Sequence, residues 1–409
     1  MRNKSKDSRL HSWKNIYLLF FLLTVLLSQA ACSQNTQNKK VEPKLLIGAE
    51  QTQLYFPSLK GKRIGFVGNH TSLINGIHLV DSLLAANLTV VKVFSPEHGF
   101  RGDADAGEKV ADGIDVETGL PVISLYGKNR KPTARQLEGL DVLLFDIQDV
   151  GARFYTYIST LHYVMEAAAE NKIPLILLDR PNPNGHYVDG PILEQAHQSF
   201  VGMHEVPIVH GMTIGEYAKM INQEGWLSNQ VKCELQLIVC QNYDRNQLYE
   251  ITTPPSPNLP NTKAVLLYPS LCLFEGTPIS VGRGTSEPFQ QFGHPKFKDL
   301  EYSFIPQPTK GAKSPKLKGQ KCYGRSFKSR SLTTLFAADS LNLTYLIDSY
   351  QAYPKKEAFF TNFFTLLAGN RNLEKQIKQG MTAAEIRASW QKGLSDFRAM
   401  RKRYLIYPE

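Results

Sequence analysis

Glu97 and His98 are titratable residues that directly follow an apolar, β-branched run. In residues 90–99, VVKVFSPEHG, the run stops at Pro96 and the two side chains fall in a turn that ends at Gly99. In an open parallel sheet, ligands bind beyond the carboxyl ends of the strands. The pattern therefore predicts that Glu97 and His98 lie at an active site.

The same layout occurs at two further apolar runs. Residues 141–149, DVLLFDIQD, end in Asp146 and Asp149, and residues 173–184, IPLILLDRPNPN, carry Asp179 just after their apolar part. Three strand ends with carboxylates predict one shared cleft. We expect Asp146 and Asp179 to be catalytic residues in it.

Two carboxyl groups are the usual means of cleaving a glycosidic bond. One protonates the leaving oxygen, and the other acts as base or nucleophile. Glu97 is the predicted general acid, because a carboxyl in a tight turn beside Phe94 and Phe100 is partly desolvated. The structural alternative is a turn carboxylate bonded to backbone amides. His98 either positions Glu97, binds a sugar hydroxyl or has only a structural role in the turn.

Five residues near the strand ends are candidates for substrate binding. Asp149 either faces the cleft or caps the following helix. Arg153 offers a planar fork for a carboxylate or an internal salt bridge, and Tyr155 offers a ring on which a sugar can lie. Asn182 suits hydroxyl recognition or plain turn chemistry. His210 is the fifth candidate.

Other chemistries have little support in the sequence. His98, Asp146, Asp149, Asp179 and His210 include no His-x-x-x-His or Asp-x-His pair, and no Cys-x-x-Cys pair occurs, so there is no local metal-ligand set. The chain also lacks a dinucleotide or phosphate-loop motif and a G-x-S-x-G nucleophile elbow. We therefore predict neither a metal nor a cofactor.

Strand and helix patterns alternate between residues 62 and 240. This alternation predicts an α/β fold with a mostly parallel sheet covered on both faces. Thr213 and Glu216 form a capping box at the start of one helix. The predicted strands are 62–68, 90–94, 120–126, 141–147, 173–179 and 233–240, and the predicted helices are 79–86, 159–171 and 213–224.

A proline-rich stretch marks the predicted boundary between two domains. Residues 253–260, TPPSPNLP, hold four prolines in eight residues, which forbids regular structure. We expect a first domain at 44–265 and a smaller α/β domain at 266–409 that closes the cleft.

The second domain begins with a long Gly-rich segment, residues 268–295. Loops of this length are usually functional, which makes Glu275 and Arg283 candidates for substrate binding. Beyond it, the patterns predict helices at 356–368 and 383–394 and a short terminal strand at 403–408.

The amino terminus is predicted to direct export. Residues 1–31 have a basic start followed by an apolar run at 16–27, which is short for a membrane span. Cys32 follows a lipobox-like sequence, and residues 32–43 form a polar tether. We expect a periplasmic protein or an outer-membrane lipoprotein anchored only through Cys32; cleavage after Ala30 is the soluble alternative.

Composition limits the partners and the redox chemistry. The net charge is +10, but residues 1–31 hold five Lys or Arg and one Asp, which leaves +6 for the rest. Such an excess suits an anionic polymer or a solvated surface, and no nucleic-acid module is recognisable. The four cysteines after Cys32 match no metal spacing, so they are predicted as core residues or free thiols, with one disulfide left open.

Six ordered motifs resemble the bacterial exo-β-N-acetylmuramidases of the NamZ family. They cover nearly all of the chain after the export segment. The motifs are SPEHGFRG at 95–102, FDIQDVGARFYTYISTL at 145–161, LDRPNPNG at 178–185, VGMHEVPIVHGMTIGEYA at 201–218, PPSPNLP at 254–260 and YPSLCLFEGTPISVGRGTSEPFQQFG at 268–293.

The resemblance implies an enzyme that removes N-acetylmuramic acid from the non-reducing ends of peptidoglycan fragments during cell-wall turnover and recycling. It also implies a Rossmann-like first domain, and it puts the family's proposed catalytic glutamate at Glu97. Because this sugar carries a lactyl carboxylate, Arg153 or Arg283 could form a bidentate pair with it. The second catalytic group stays open among Asp146, Asp179, Glu275 and the substrate's own acetamido group.

Two other functions are compatible with these residues. One is a non-catalytic, surface-anchored protein that binds muropeptides or glycans in the same cleft. The other is a metal-dependent hydrolase such as a deacetylase.

Overall fold

The computed structural model describes residues 44–101 and 112–409. Residues 45–409 form one compact unit. The predicted export segment, the tether and Cys32 lie outside the described residues. Within the described residues, no helix combines the length and the apolar character needed to cross a membrane.

The secondary structure alternates as the sequence predicts up to β9. The strands are β1 (Arg63–Gly68), β2 (Leu73–Ile74), β3 (Ile77–His78), β4 (Thr89–Ser95), β5 (Gly113–Ile114), β6 (Pro121–Ser124), β7 (Val142–Asp146), β8 (Leu175–Leu178), β9 (Leu235–Ile238), β10 (Gln291–His294), β11 (Tyr302–Phe304) and β12 (Cys322–Ser326). The α-helices are α1 (Thr52–Leu59), α2 (Leu79–Ala85), α3 (Ala134–Leu137), α4 (Tyr157–Glu170), α5 (Ile214–Gln223), α6 (Thr262–Leu271), α7 (Leu332–Phe336), α8 (Thr344–Ala352), α9 (Asn362–Ala368), α10 (Asn372–Lys378) and α11 (Ala383–Lys402).

Seven strands form the large sheet, in the order β5-β6-β4-β1-β7-β8-β9. All neighbours are parallel except β5, which pairs antiparallel with β6 at the edge. Without β5, the order is the 3-2-1-4-5-6 arrangement of Rossmann folds. The order reverses between β1 and β7, and ligands bind at such a reversal.

Alternating residues of the central strands enter two separate cores. In β7, Val142 and Leu144 belong to one hydrophobic cluster, whereas Leu143 and Phe145 belong to the other. This period of two is expected of a strand whose two faces are both covered. Helices α1 and α2 cover the first face, and α4 and α5 cover the second. The predicted α/β fold is therefore confirmed.

The capping box predicted at Thr213 is present. Thr213 Oγ1 accepts from the Glu216 amide (3.2 Å), and the Glu216 carboxylate accepts from the Thr213 amide (2.9 Å). Reciprocal bonds of this kind satisfy amides that a helix start leaves without partners. Helix α5 consequently begins where the sequence predicts.

The second part of the chain contains the antiparallel sheet β10-β12-β11 and helices α7 to α11. Helix α6 runs across position 265, and the larger hydrophobic cluster includes residues from both sides of it. The two parts therefore share a core. The domain boundaries at 44–265 and 266–409 stay predictions.

Three predictions for the second part differ from the structure. Residues 356–368 contain a short 3₁₀ helix and then α9, because the chain breaks so that the Thr361 amide can donate to the Gly276 carbonyl (3.0 Å). The Gly-rich segment 268–295 includes the end of α6, a 3₁₀ helix and β10. Helix α11 starts as predicted at Ala383 but extends eight residues past 394.

The predicted terminal strand at 403–408 is wrong. The amides of Ile406 and Tyr407 donate to Glu216 Oε1 (2.8 and 3.2 Å) rather than to a neighbouring strand. The buried carboxylate of Glu216 therefore accepts the hydrogen bonds that a neighbouring strand would have accepted. The four described cysteines are buried free thiols. They are therefore core residues, as predicted, and the disulfide that the sequence left open does not form among them.

Candidate active site

The carboxyl ends of β1 and β7 are tied together where the strand order reverses. The Ser72 hydroxyl donates to the Asp146 carbonyl (2.5 Å), and the Gln148 amide donates to Thr71 Oγ1 (3.0 Å). Asn69 holds the turn after β1, since its Oδ1 accepts from the Thr71 amide (2.9 Å). These bonds fix the edge at which a doubly wound sheet binds its ligand.

Glu97 lies in a tight turn directly after β4. The Gly99 amide donates to the Pro96 carbonyl (3.1 Å), and His98 has a φ of +74°. A non-glycine residue in this left-handed region costs on the order of 1 kcal/mol or more and is held by its surroundings. Pro96 and His98 are buried, whereas Glu97 is partly exposed. The turn therefore presents the carboxyl group of Glu97 at the surface of the sheet edge.

Two hydroxyl groups contact the Glu97 carboxylate. Thr156 Oγ1 donates to Glu97 Oε2 (2.8 Å). Burial raises the pKa of Tyr126, and the charge of Glu97 and the hydrogen bond between Tyr126 and Glu97 raise this pKa further. Phe94 and Phe100, the two rings predicted beside Glu97, belong to the two hydrophobic clusters. Glu97 is thus oriented by two hydroxyl donors.

Tyr126 begins an aromatic wall beside Glu97 that sequence reasoning missed. Its ring centroid lies 6.1 Å from that of Phe200, and Tyr163 stacks on Phe200 at 6.3 Å. The Arg130 guanidinium carbon lies 4.5 Å above the Phe200 ring. Tyr126 follows β6, so the strand-end rule that finds Glu97 would also have found it.

Asp146, a predicted catalytic residue, is fully buried at the end of β7. Both of its oxygens accept from Arg180, from Nε at 2.5 Å and from Nη2 at 2.8 Å. A bidentate pair of this kind uses the acceptor capacity that a base would need. These contacts argue against a catalytic role for Asp146.

Asp149 is also buried, and it does not cap a helix. Its Oδ2 accepts from the Gly151 amide (2.7 Å), whereas α4 begins only at Tyr157. Gly151 has a φ of +76°, and a Cβ there would collide with the Asn182 side chain. Burial raises the pKa of Asp149 to about 7, against the opposing effect of backbone donors. Among the described residues, its Oδ1 has no hydrogen-bond partner.

Asp179, the other predicted catalytic residue, is fully buried beyond β8. It accepts from Thr213 Oγ1 (2.8 Å), the Gly215 amide (2.8 Å) and Tyr407 Oη (2.6 Å). Burial raises its pKa to about 6 although these donors act in the opposite direction. The carboxylate joins helix α5 and the chain terminus to the sheet, which argues against a catalytic role.

Arg153, predicted to bind the substrate, is fully buried. Its guanidinium donates to the carbonyls of Pro191 (2.8 Å), Val206 (2.7 Å), Leu367 (2.9 Å) and Ala368 (2.8 Å). Four of its five N–H groups are therefore used, and Nε is buried as well. Arg153 joins the two parts of the chain and has no fork left for a ligand.

Tyr155 and Asn182 are likewise turned into the protein. The Tyr155 hydroxyl donates to the Pro255 carbonyl (2.9 Å), and its ring meets Tyr157 edge-on at 4.8 Å. Asn182 Nδ2 donates to the Met212 carbonyl (2.9 Å), and its Oδ1 accepts from the Asn184 amide (2.8 Å). These contacts favour the structural alternatives for both residues.

The two predicted histidines occupy different environments. His98 is buried in the Glu97 turn, and its predicted role stays a prediction. His210 lies in the core, where Nδ1 accepts from the Met212 amide (3.2 Å) and no residue that the structure describes bonds to Nε2. Burial, followed by the charges of Arg401 and Arg153, lowers the pKa of His210 to about 3. His210 is therefore a neutral core histidine.

Glu275 and Arg283, both predicted to bind the substrate, contact each other in the second part of the chain. Arg283 Nε donates to Glu275 Oε1 (3.2 Å). Both line a cavity of about 310 Å³ with Ser280, Ser314 and Lys316, and Glu97 is not part of that lining. Arg283 is therefore paired with Glu275 through Nε, and its guanidinium carbon lies 5.0 Å from the Phe289 ring centroid.

A second cavity, of about 430 Å³, includes a residue that the sequence did not single out. His70 follows β1 and lines this cavity together with the proline-rich stretch at 254–260 and with Thr285. The His70 ring Nε2 lies 2.7 Å from the Pro254 carbonyl. The cavity therefore opens beside the β1 end, next to the reversal of strand order. The signal in the sequence is the position of His70 just past a strand.

The described residues contain no grouping of three or more His, Cys, Asp or Glu side chains that could hold a metal ion.

The fold and this site define the class of protein. The sheet has Rossmann strand order, and an oriented, accessible carboxyl group stands at its carboxyl edge with aromatic and cationic groups beside it. This combination is that of an α/β enzyme that uses carboxylate chemistry on a polar ligand.

Two family models match the chain. The model of the N-terminal part of exo-β-N-acetylmuramidase NamZ matches residues 64–263, and that of the C-terminal part matches residues 266–407. The chain belongs to the exo-β-N-acetylmuramidase NamZ family.

Relatives of known sequence or structure agree with this assignment. The peptidoglycan β-N-acetylmuramidase NamZ of Bacillus subtilis is 38% identical over 413 residues, which span 96% of this chain and 98% of the relative. Two crystal structures of DUF1343 family proteins from Bacteroides fragilis are 46% and 31% identical, with TM-scores of 0.84 and 0.74. Each match covers 90% of this chain and all of the other.

Proposed function

We propose that this chain is an exo-acting glycosidase that releases N-acetylmuramic acid from the non-reducing ends of peptidoglycan fragments, with Glu97 as the general acid. Membership of the muramidase family and the near full-length match to the Bacillus subtilis enzyme support the reaction. The position of Glu97 carries the assignment of the acid. Of the four carboxylates predicted to follow strands, Glu97 is the partly exposed one, whereas Asp146, Asp149 and Asp179 are buried.

The proposed role follows from what glycosidic cleavage requires. The leaving oxygen must receive a proton as its bond to the sugar breaks, and a positioned carboxylic acid supplies it. Thr156 and Tyr126 hold the Glu97 carboxyl group in one orientation. Orientation of the donor before the substrate arrives reduces the entropy that the transition state would otherwise cost.

The test is Glu97→Gln with two substrates that differ in leaving group. The natural disaccharide, N-acetylmuramic acid β-1,4-linked to N-acetylglucosamine, has a basic leaving oxygen that must be protonated. A 2,4-dinitrophenyl β-N-acetylmuramide has an acidic phenol that leaves without a proton. We expect the disaccharide rate to fall about 10²- to 10⁴-fold and the dinitrophenyl rate to fall much less.

The control is Glu138→Gln, which changes an exposed carboxylate at the end of α3. It should leave both rates unchanged. An equal loss on both substrates would mean that Glu97 is the nucleophile rather than the acid, and an undiminished disaccharide rate would remove it from the chemistry. Absence of turnover by the unaltered protein at any pH would favour a binding protein, and turnover that a chelator abolishes would favour a metal enzyme.

A further inference from the structure

Recognition of N-acetylmuramic acid requires a protein group that recognition of N-acetylglucosamine does not need. The two sugars differ by a lactyl ether on O3, whose carboxylate is negatively charged at neutral pH. A cation close to Glu97 would distinguish them, because a charge-assisted hydrogen bond forms with only one of the two. This question rests on the proposed function.

Arginines at the other strand ends already have acceptors. Arg101, after β4, makes two hydrogen bonds to Asp115 (2.9 and 2.7 Å). Arg180, after β8, is paired with Asp146, and Arg153 is surrounded by backbone carbonyls. Binding a second carboxylate at any of them would first break a buried or bidentate contact, which costs several kcal/mol.

Arg130 differs from these arginines in exposure and in partners. Its side chain is exposed, and within residues 44–101 and 112–409 its guanidinium makes no hydrogen bond and no ion pair. Its guanidinium carbon lies 4.5 Å from the Phe200 ring centroid, within the range of a cation–π contact. Such a contact restrains the guanidinium and leaves its N–H groups available for a ligand.

Arg130 is also connected to the catalytic carboxylate through the aromatic wall. Its charge lowers the pKa of Tyr126, the tyrosine whose hydroxyl is hydrogen bonded to Glu97, although burial and Glu97 act more strongly in the opposite direction. Tyr126 and Phe200 lie side by side, 6.1 Å apart. In a sugar whose C1 oxygen meets Glu97, C3 is separated from C1 by C2, and the lactyl chain extends outward from O3, so the two protein groups need not touch.

We propose that Arg130, held by Phe200, binds the lactyl carboxylate and thereby selects N-acetylmuramic acid over N-acetylglucosamine. Arg130 is a specificity residue and takes no part in breaking the bond. The assignment replaces the two sequence candidates. Arg153 has its guanidinium occupied by backbone carbonyls, and Arg283 is paired with Glu275 in a cavity whose lining does not include Glu97.

The experiment compares Arg130→Met with Lys128→Met. Both substitutions remove one exposed positive charge from the same loop, so a general effect of charge appears in both. Each variant is assayed on 4-nitrophenyl β-N-acetylmuramide and on the matching β-N-acetylglucosaminide. For Arg130→Met we expect kcat/KM on the muramide to fall about 10- to 100-fold, mostly through KM, with little change on the glucosaminide.

Two further measurements separate recognition from a structural effect. Arg130→Lys keeps the charge but loses the planar fork, so it should recover part of the selectivity. Added salt should weaken the muramide preference of the unaltered protein and leave that of Arg130→Met unchanged, because screening acts on the ion pair.

The outcomes distinguish this inference from the proposed function. If the unaltered protein releases N-acetylmuramic acid and Arg130→Met keeps the selectivity of Lys128→Met, the assignment of Arg130 is wrong and the muramidase function stands. If the unaltered protein releases no N-acetylmuramic acid from either the aryl glycoside or the disaccharide, the proposed function fails and the assignment fails with it.

Discussion

Asp149 shows how a single buried carboxyl group affects the whole energy balance of the protein. Its Oδ2 accepts a short bond from the Gly151 amide (2.7 Å), and no described residue bonds to its Oδ1. Desolvation disfavours the charged form, which is why its pKa rises to about 7. Between the ordinary aspartate range and pH 7, the folded chain therefore holds a proton that the unfolded chain has released.

The consequence is a predicted loss of stability as pH rises. A group whose folded pKa lies above its unfolded pKa weakens the fold through that window, here from about pH 4 to about pH 7, with no further effect above it. A shift of three pKa units corresponds to about 4 kcal/mol. Asp149→Asn should remove this component, and urea unfolding at pH 5 and pH 7.5 measures it.

The matched control for this prediction is Asp299→Asn, which changes an exposed carboxylate. It should leave the difference between pH 5 and pH 7.5 unaltered. Asp179, whose pKa is about 6, contributes in the same direction in every variant and cancels in the comparison. An identical pH dependence for Asp149→Asn and the unaltered protein would contradict the prediction.

For single residues, the sequence predicts where a side chain lies in the fold better than which groups contact it. Glu97 is found because a polar residue just past an apolar run falls at the edge of a parallel sheet. Asp146 and Asp179 satisfy the same rule, but the sequence does not reveal that Arg180 and Tyr407 occupy their oxygens. Arg130 was missed because its proposed role depends on a contact with Phe200, which is 70 positions away, and not on its neighbours in sequence.

Elements are joined in this fold by buried cations as well as by apolar contact. Arg153 comes from the segment between β7 and α4, and it binds carbonyls near Pro191 and Val206 and at the end of α9. Burial lowers the pKa of Arg153. The four carbonyls accept the hydrogen bonds that water would otherwise accept from the cation. The contact therefore fixes how the end of α9 meets the large sheet.

Removal of this cation should destabilise the protein without changing its specificity. Arg153→Met removes a donor from four buried carbonyls, of which that of Val206 still accepts from the Leu193 amide (3.2 Å). We expect a loss of about 2–5 kcal/mol in the free energy of unfolding. Urea denaturation measures the loss. Arg371→Met, at an exposed position beside α10, is the control and should change stability by no more than about 0.5 kcal/mol. A selective loss of muramide turnover in a fully stable Arg153→Met would restore the ligand-binding interpretation.

Elements with a periodic pattern and a local end signal were predictable from sequence. The strands of the parallel sheet and helix α5 with its capping box are examples. Two failures have the same origin. The helix expected over 356–368 is interrupted by a bond to Gly276, and the expected terminal strand bonds instead to Glu216. In both, the partner is remote in sequence, so no local pattern encodes it.

Residues near position 407 are hydrogen bonded to the carboxyl edge of the large sheet. The Tyr407 hydroxyl donates to Asp179 and accepts from the Cys240 amide (2.8 Å), and Arg245 Nη2 donates to the Tyr407 carbonyl (3.0 Å). Glu216 accepts from the tail and from Arg245 (2.8 Å). The carboxyl edge of the sheet and the end of the chain thus form one buried hydrogen-bond network.

Loss of one hydroxyl in this network should be measurable. Tyr407→Phe leaves the buried Cys240 amide without its acceptor and removes one of the donors to Asp179, which keeps its bonds from Thr213 and Gly215. We expect a loss of about 1–3 kcal/mol in the free energy of unfolding. Tyr345→Phe is the control, because the Tyr345 hydroxyl makes no hydrogen bond to another described residue. Equal thermal midpoints for the two variants would show that the Tyr407 hydroxyl contributes nothing to stability.

The tail also has a consequence for the order in which the protein is made. Asp179 and Tyr407 are separated by 228 positions, so the ribosome completes the large sheet long before it supplies the residue that satisfies its edge. A nascent or prematurely terminated chain would therefore hold an unfinished edge open to degradation. Completion of this edge in the folded protein therefore waits until synthesis has passed Tyr407.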